Sequence, residues 1–254
     1  MRARLLVALG VLVLILAGCG GDEDGADRTQ LTVSAASSLK RAFTGYAASF
    51  EDARARLQFA GSDELAAQIR RGARPDVYAA ANTRLPEELF KAGLVERPRV
   101  FAANRLVLAV PAKASEVGSL DELARPGITI AAGAPSVPVG SYTREVIGKL
   151  PASEEKAILA NIRSNEPDVA GVVGKLTQGA VDAGFVYVTD VMAAAGRLRA
   201  IELSQELEPQ VAYGVAVVKG AKNPRGARAF VAGLLAGRGL AKLRKAGFEP
   251  PPAR

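Results

Sequence analysis

The sequence predicts an α/β protein in which parallel sheets are covered by helices on both faces. Three observations carry that expectation. Short β-prone runs alternate with helical patterns along nearly the whole chain, the pattern of strand–helix–strand units. Apolar residues make up 49% of the 254 residues, enough for a full core in one large or two smaller domains. They are mostly Ala, Val and Leu, with aromatics at only 5%, which suits close packing of helices on sheets.

The amino terminus reads as a processing signal. Arg2 and Arg4 precede an apolar run from Leu5 to Gly18, too short for a permanent membrane span. The run ends Leu16-Ala17-Gly18-Cys19, which resembles the lipobox of bacterial lipoproteins. That resemblance implies a signal peptide over 1–18 and a lipid on Cys19, tethering the protein to the outer face of a membrane. Residues 19–30, polar and rich in Gly and Asp, read as a lipidated flexible tether. Cys19 is the single cysteine, so no disulfide can form within the chain.

The first unit of the fold is Leu31-Thr-Val-Ser, a strand running through small residues into a helix with Leu39, Ala42, Phe43, Tyr46 and Phe50 on one face. Serines 37 and 38 sit at the turn. Unpaired N–H groups, hydroxyls and the helix dipole make such a turn suited to an anion. A second unit follows: strand Leu57–Ala60, then Gly61-Ser62-Asp63-Glu64, then a helix through Leu65 and Ile69 that Gly72 stops. A strand at 75–80, a helix at 85–92 ended by Gly93 and a strong apolar strand at 104–111 come next. The middle region predicts a small helix at 120–124, a strand at 128–132, helices at 141–150, 154–162 and 168–178, and a strand at 182–188. Thr189 caps a short helix. Strands at 199–203 and 210–218 lead to two closing helices, the first opened by Pro224 and the second ended by Gly247. Ligands of such sheets bind beyond the carboxyl ends of the strands, where both serine turns lie.

Composition excludes much chemistry. The chain has no histidine, which removes Ser-His-Asp triads and histidine metal sites. With the lone cysteine in the lipobox, thiolate chemistry goes too. The net charge of +7, or +5 without Arg2 and Arg4, comes from scattered basic residues without interleaved aromatics. It reads as solvated surface, not as a nucleic-acid site. One enzymatic pattern survives: Ser37-Ser38-Leu39-Lys40 fits the S-x-x-K of serine acyl enzymes. The accompanying S-D-N fails at Ser62-Asp63-Glu64, and no K-T-G follows. An enzyme is not expected.

Several motifs together resemble the periplasmic molybdate-binding proteins of ABC importers. They are Ala35-Ala-Ser-Ser-Leu39, Phe59-Ala-Gly-Ser-Asp-Glu-Leu-Ala-Ala-Gln-Ile69, Gly72-Ala-Arg-Pro-Asp-Val77 and Asn104-Arg-Leu-Val-Leu108. Val137-Pro-Val-Gly-Ser-Tyr142, Glu166-Pro-Asp-Val169 and Phe185-Val-Tyr-Val-Thr-Asp190 continue the match in order. It extends over roughly Leu31 to Phe248.

The resemblance implies a two-lobe periplasmic-binding-protein-like fold of type II, with the ligand cleft between the lobes. Lobe 1 would comprise 31–110 and 211–254, and lobe 2 would comprise 111–210. Carried over by position, Ser38 and Ser62 would give hydroxyl and backbone N–H groups. Val139 and Val169 would give backbone N–H groups, and Tyr187 its phenol. These residues would hold the oxyanion of the metal without direct metal ligands, and no cofactor is implied. By residue type alone, both valines and Tyr187 equally fit an ordinary core. Ser37 and Ser38 are adjacent, and the alignment of Leu39 selects Ser38. Asp63, whose charge would repel a dianion, is expected to point away from the cleft. The implied function is capture of molybdate, and of tungstate with it, for a membrane permease and its cytoplasmic ATPase. Sulfate or phosphate is the alternative ligand. A monomer held at the membrane by its lipid is expected.

Overall fold

The computed structural model describes residues 29–113 and 115–252. The expected signal peptide, Cys19 and all of the tether up to Arg28 lie outside the described residues. Gln30, assigned to the tether, already opens the first strand.

Strand β1 (Gln30–Ala36) alternates so that Leu31, Val33 and Ala35 are buried. It enters α1 (Lys40–Ala47) through a 3-10 turn, Ser37–Leu39. β2 (Arg54–Ala60) feeds α2 (Ser62–Arg70), and β3 (Val77–Ala80) feeds α3 (Arg84–Lys91). β4 (Arg99–Asn104) and β5 (Leu106–Pro111) follow almost without a break. After β6 (Ile130–Gly133) come α4 (Pro138–Ile147), α5 (Ala152–Asn161) and β7 (Ile162–Glu166). Next are α6 (Val169–Thr177), β8 (Ala183–Tyr187), α7 (Val188–Ala193) and β9 (Leu198–Ile201). β10 (Val211–Val217), α8 (Pro224–Leu235) and α9 (Arg238–Lys245) complete the chain.

Two five-stranded sheets result, ordered β2-β1-β3-β10-β4 and β7-β6-β8-β5-β9. They share one plan. β1 lies parallel between β2 and β3 as β6 lies parallel between β7 and β8. In each sheet one strand from a distant part of the chain, β10 or β5, runs antiparallel to both its neighbours. The sheets are therefore mixed, which corrects the expectation of parallel ones. Helical periodicity between strands does not reveal that a strand crosses over and returns.

The lobe boundary also moves. β5, expected in lobe 1, bonds to β8 and β9 in the second sheet, so the chain crosses at Asn104-Arg105-Leu106. The single strand expected at 104–111 takes in the end of β4 and all of β5, which lie in two sheets. Strand β7 escaped the sequence reading because Ile-Arg-Ser-Asn-Glu is polar, as suits a sheet edge. Helix α7 is capped by Tyr187, not Thr189, which lies inside the helix.

In the first lobe Phe43, Tyr46 and Phe50 pack against Phe230 of α8, with ring centroids 4.5–5.6 Å apart. This cluster clamps α1 and α8 to the sheet. On the other face Leu65 and Ile69 of α2 meet Leu85 and Leu89 of α3. Buried Asp76 ties the lobe's distant segments together. One carboxylate oxygen accepts from Thr32 N at 2.7 Å and the other from Asn223 N at 2.7 Å.

Candidate oxyanion-binding site

The carboxyl ends of β1, β2, β6, β7 and β8 face one another across the gap between the lobes. All five residues picked from the sequence line one small cavity there: Ser38 and Ser62 from the first lobe, Val139, Val169 and Tyr187 from the second. All are between 1% and 7% exposed. The cavity is small, with the two lobes packed closely around it.

Each position follows from local structure. Ser62 is the first residue of α2, Val139 the second of α4 and Val169 the first of α6. Their N–H groups lie in helix first turns, where no intrahelical partner exists. Pro138 opens α4 without wasting a donor, since its ring replaces an N–H that would be orphaned. Ser62 Oγ accepts from Ala81 N at 3.1 Å, so its proton remains free to donate. Ser62 is fixed further by Tyr78, whose phenol donates to the Ser62 carbonyl at 2.7 Å. Ser38 Oγ lies 3.0 Å from the Tyr213 hydroxyl.

Tyr187 ends β8, and its buried hydroxyl has no hydrogen-bond partner among the described residues. Burial holds its phenol well above the usual range, reinforced by Tyr213, Tyr142 and Asp190. It is therefore a protonated donor at neutral pH. A buried hydroxyl with no partner costs about 1–3 kcal/mol, so this atom marks where a ligand acceptor belongs.

The lining carries no lysine or arginine, and one carboxylate, Asp168. Asp168 Oδ1 accepts from Gly171 N at 3.0 Å as the N-cap of α6. Ser37 also reaches the lining, so the geometry brings both serines of the first turn to the cavity. A larger cleft of about 500 Å³ lies alongside, sharing Ser37 and Ser38 and bordered by Lys40, Arg41 and Arg197. Its walls are mainly apolar and hold no orphaned polar atom, so the small cavity is the better candidate for an ion.

Asp63 is absent from the cavity lining. It does not point outward into solvent, however. Its Oδ2 accepts from Ser136 Oγ at 2.7 Å, across the gap between the lobes, while Oδ1 is buried without a partner among the described residues. Close contact at this rim explains Gly61. A Cβ there would stand 2.5 Å from the Pro167 carbonyl of the other lobe. Behind the cavity, Asn104 Nδ2 donates to Thr189 Oγ1 at 2.8 Å and reaches the Tyr213 hydroxyl at 3.5 Å. Sequence reading missed Tyr213, Asn104, Gly61 and Asp168 as parts of the site. Asn104, Gly61 and Asp168 stand within the quoted motifs, but nothing in their residue type announces these contacts.

Two like-built lobes closing on a cavity lined by neutral donors define a binding protein for a small solute. The chain belongs to the bacterial extracellular solute-binding proteins, a family that matches residues 31–249. It is 34% identical to the molybdate-binding protein ModA of Mycobacterium tuberculosis over 95% of both chains. It is also 28% identical to the molybdate-binding protein ModA of Haemophilus influenzae, over 83% of this chain and 85% of that one. Among solved structures, the periplasmic molybdate-binding protein of Azotobacter vinelandii superposes with a TM-score of 0.78 at 21% identity, covering 87% of this chain and all of that one. The sulfate-binding protein SubI of Mycobacterium tuberculosis superposes at 0.77 with 16% identity, over 87% of each chain. At those identities the two superpositions speak to fold.

Proposed function

We propose that this protein captures molybdate, and tungstate with it, outside the cytoplasm and delivers it to the permease and ATPase of an ABC importer. The observation that carries the reading is the partnerless Tyr187 hydroxyl, buried where Ser38, Ser62, Val139 and Val169 converge. A tetrahedral dianion needs many donors to replace its hydration, since each buried oxygen left unpaired is costly. Backbone N–H groups of helix first turns and neutral hydroxyls supply them without a neutralising cation. The mycobacterial relatives, matched over nearly their whole length, support molybdate as the particular anion.

Rigid donors also act as a size filter. Molybdate and tungstate are alike in radius, while sulfate is smaller and would leave its bonds stretched. Closure of the lobes over the anion gives the permease a form to recognise. On this reading the protein is a monomer and not an enzyme, needs no cofactor and is held at the membrane by lipid on Cys19. The fold is shared with a sulfate-binding protein, which makes sulfate the competitor to test.

Calorimetric titration with molybdate, tungstate, sulfate and phosphate is the test. One-to-one binding of the first two with silence from sulfate is expected. Sulfate or phosphate binding in place of molybdate would keep the fold and overturn the ligand. Replacing Ser62 with Ala should weaken molybdate binding by about 1–3 kcal/mol, the cost of an unmet buried acceptor. Unchanged affinity would remove Ser62 from the site.

A further inference from the structure

We propose that Tyr213 is a positioning residue that turns the Ser38 hydroxyl proton into the oxyanion cavity. The inference rests on the reading of that cavity as an anion site, and the direction of a short donor chain carries it. Arg105 N donates to Asn104 Oδ1 at 2.9 Å. That bond fixes the amide, so Nδ2 must face the other way. One Nδ2 hydrogen goes to Thr189 Oγ1 at 2.8 Å, and the other faces the Tyr213 hydroxyl at 3.5 Å. With Asn104 donating to it, Tyr213 sends its own proton to Ser38 Oγ, 3.0 Å away. The Ser38 oxygen is then occupied as an acceptor, and its proton is left for the cavity that Ser38 lines.

The opposite direction is unfavourable. Were Ser38 to donate to Tyr213, the phenol proton would have no acceptor among the contacts of the described residues. Ser38 would then present lone pairs to an anion. The Tyr213 ring cannot swing away to another partner. It is fully buried and stands edge-on to Phe101, Tyr187 and Phe248 at centroid distances of 6.2, 6.0 and 5.3 Å. Burial also keeps its phenol protonated through the neutral range. Tyr213 touches no solute itself; it acts through Ser38.

A double-mutant cycle read by molybdate calorimetry tests this. Tyr213→Phe keeps the ring and removes the hydroxyl, and should weaken molybdate binding about tenfold in the wild-type background. In a Ser38→Ala background the same change should alter affinity by less than about twofold, because the group it orients is gone. Equal losses in both backgrounds, or no loss in either, would overturn the positioning role. Thermal unfolding of each variant verifies that it is folded. If Tyr213→Phe fails to fold, Asn104→Ala removes the donor that sets the direction, and should show a smaller loss that also vanishes with Ser38→Ala. Unmutated protein that binds no molybdate would overturn the ligand assignment, and that control separates the two failures.

Discussion

The hydroxyl of Tyr187 is the most exacting atom of the site, because nothing among the described residues satisfies it and its side chain is fully buried. Tyr187→Phe should therefore divide two properties. Molybdate affinity should fall by about 1–3 kcal/mol, measured by titration, while the thermal midpoint of the ligand-free protein should hold or rise. Just beyond it, Asp190 Oδ2 accepts from Tyr187 N at 3.1 Å. Burial pushes the Asp190 carboxyl up to about 7, Asp168 adds to the effect, and the Tyr187 N–H offsets part of it. Between the ordinary value of 3.8 and about 7, the folded state binds more protons than the unfolded one. This carboxyl's contribution to stability thus falls as pH rises through that window. Asp190→Asn keeps an acceptor for Tyr187 N and removes the charge. Unfolding midpoints of variant and wild type should agree near pH 4 and separate in favour of the variant by pH 8. A constant gap at all pH values would sink the idea. Residue chemistry also set what could be read from sequence. Ser38, Ser62 and Tyr187 carry donors on their side chains, whereas Val139 and Val169 would contribute only through N–H groups that any residue but proline has. Only the motifs around those valines marked them.

Among the elements, the rim of the cavity sets the tightest constraint. The start of α2 lies against the segment before α6, and Gly61 is the residue that permits it. Gly61→Ala should wedge the lobes apart, lowering molybdate affinity at least about tenfold while costing the free protein little, since its backbone angles suit alanine. Titration beside a melt of the ligand-free variant would reveal it; equal loss in both would point to damage within lobe 1. Asp63, two residues on, accepts from Ser136 of the other lobe. Asp63→Ala should speed dissociation of molybdate in stopped-flow displacement, as the variant loses a hydrogen bond that spans the two lobes. Strand–helix units were legible because burial of one face imposes a period. The crossover was not, because β4 and β5 are both apolar and a single residue, Arg105, separates them. Tyr213 and Asn104 were illegible as site residues for a related reason. Their roles depend on β10 lying beside β4, and pairing between strands so far apart in sequence leaves no local mark.

At the scale of the whole molecule, the matched sheets place the ends of β1 and β2 opposite those of β6, β7 and β8, so an anion in the cavity would be held by both lobes at once. A ligand bound by the folded, closed form alone stabilises it by mass action, about 4 kcal/mol at a thousandfold excess over Kd. Saturating molybdate should thus raise the unfolding midpoint by several degrees, and sulfate should not. The same architecture dictates an order of assembly. The second sheet is drawn entirely from β5 to β9, one continuous stretch, but the first needs β10 between β3 and β4. A chain emerging from its amino end can complete the second lobe while the first still lacks an inner strand. The half that opens the sequence is thus the last to close, and a chain cut short before Val211 leaves β4 with no neighbour and the two serine turns on an unfinished sheet.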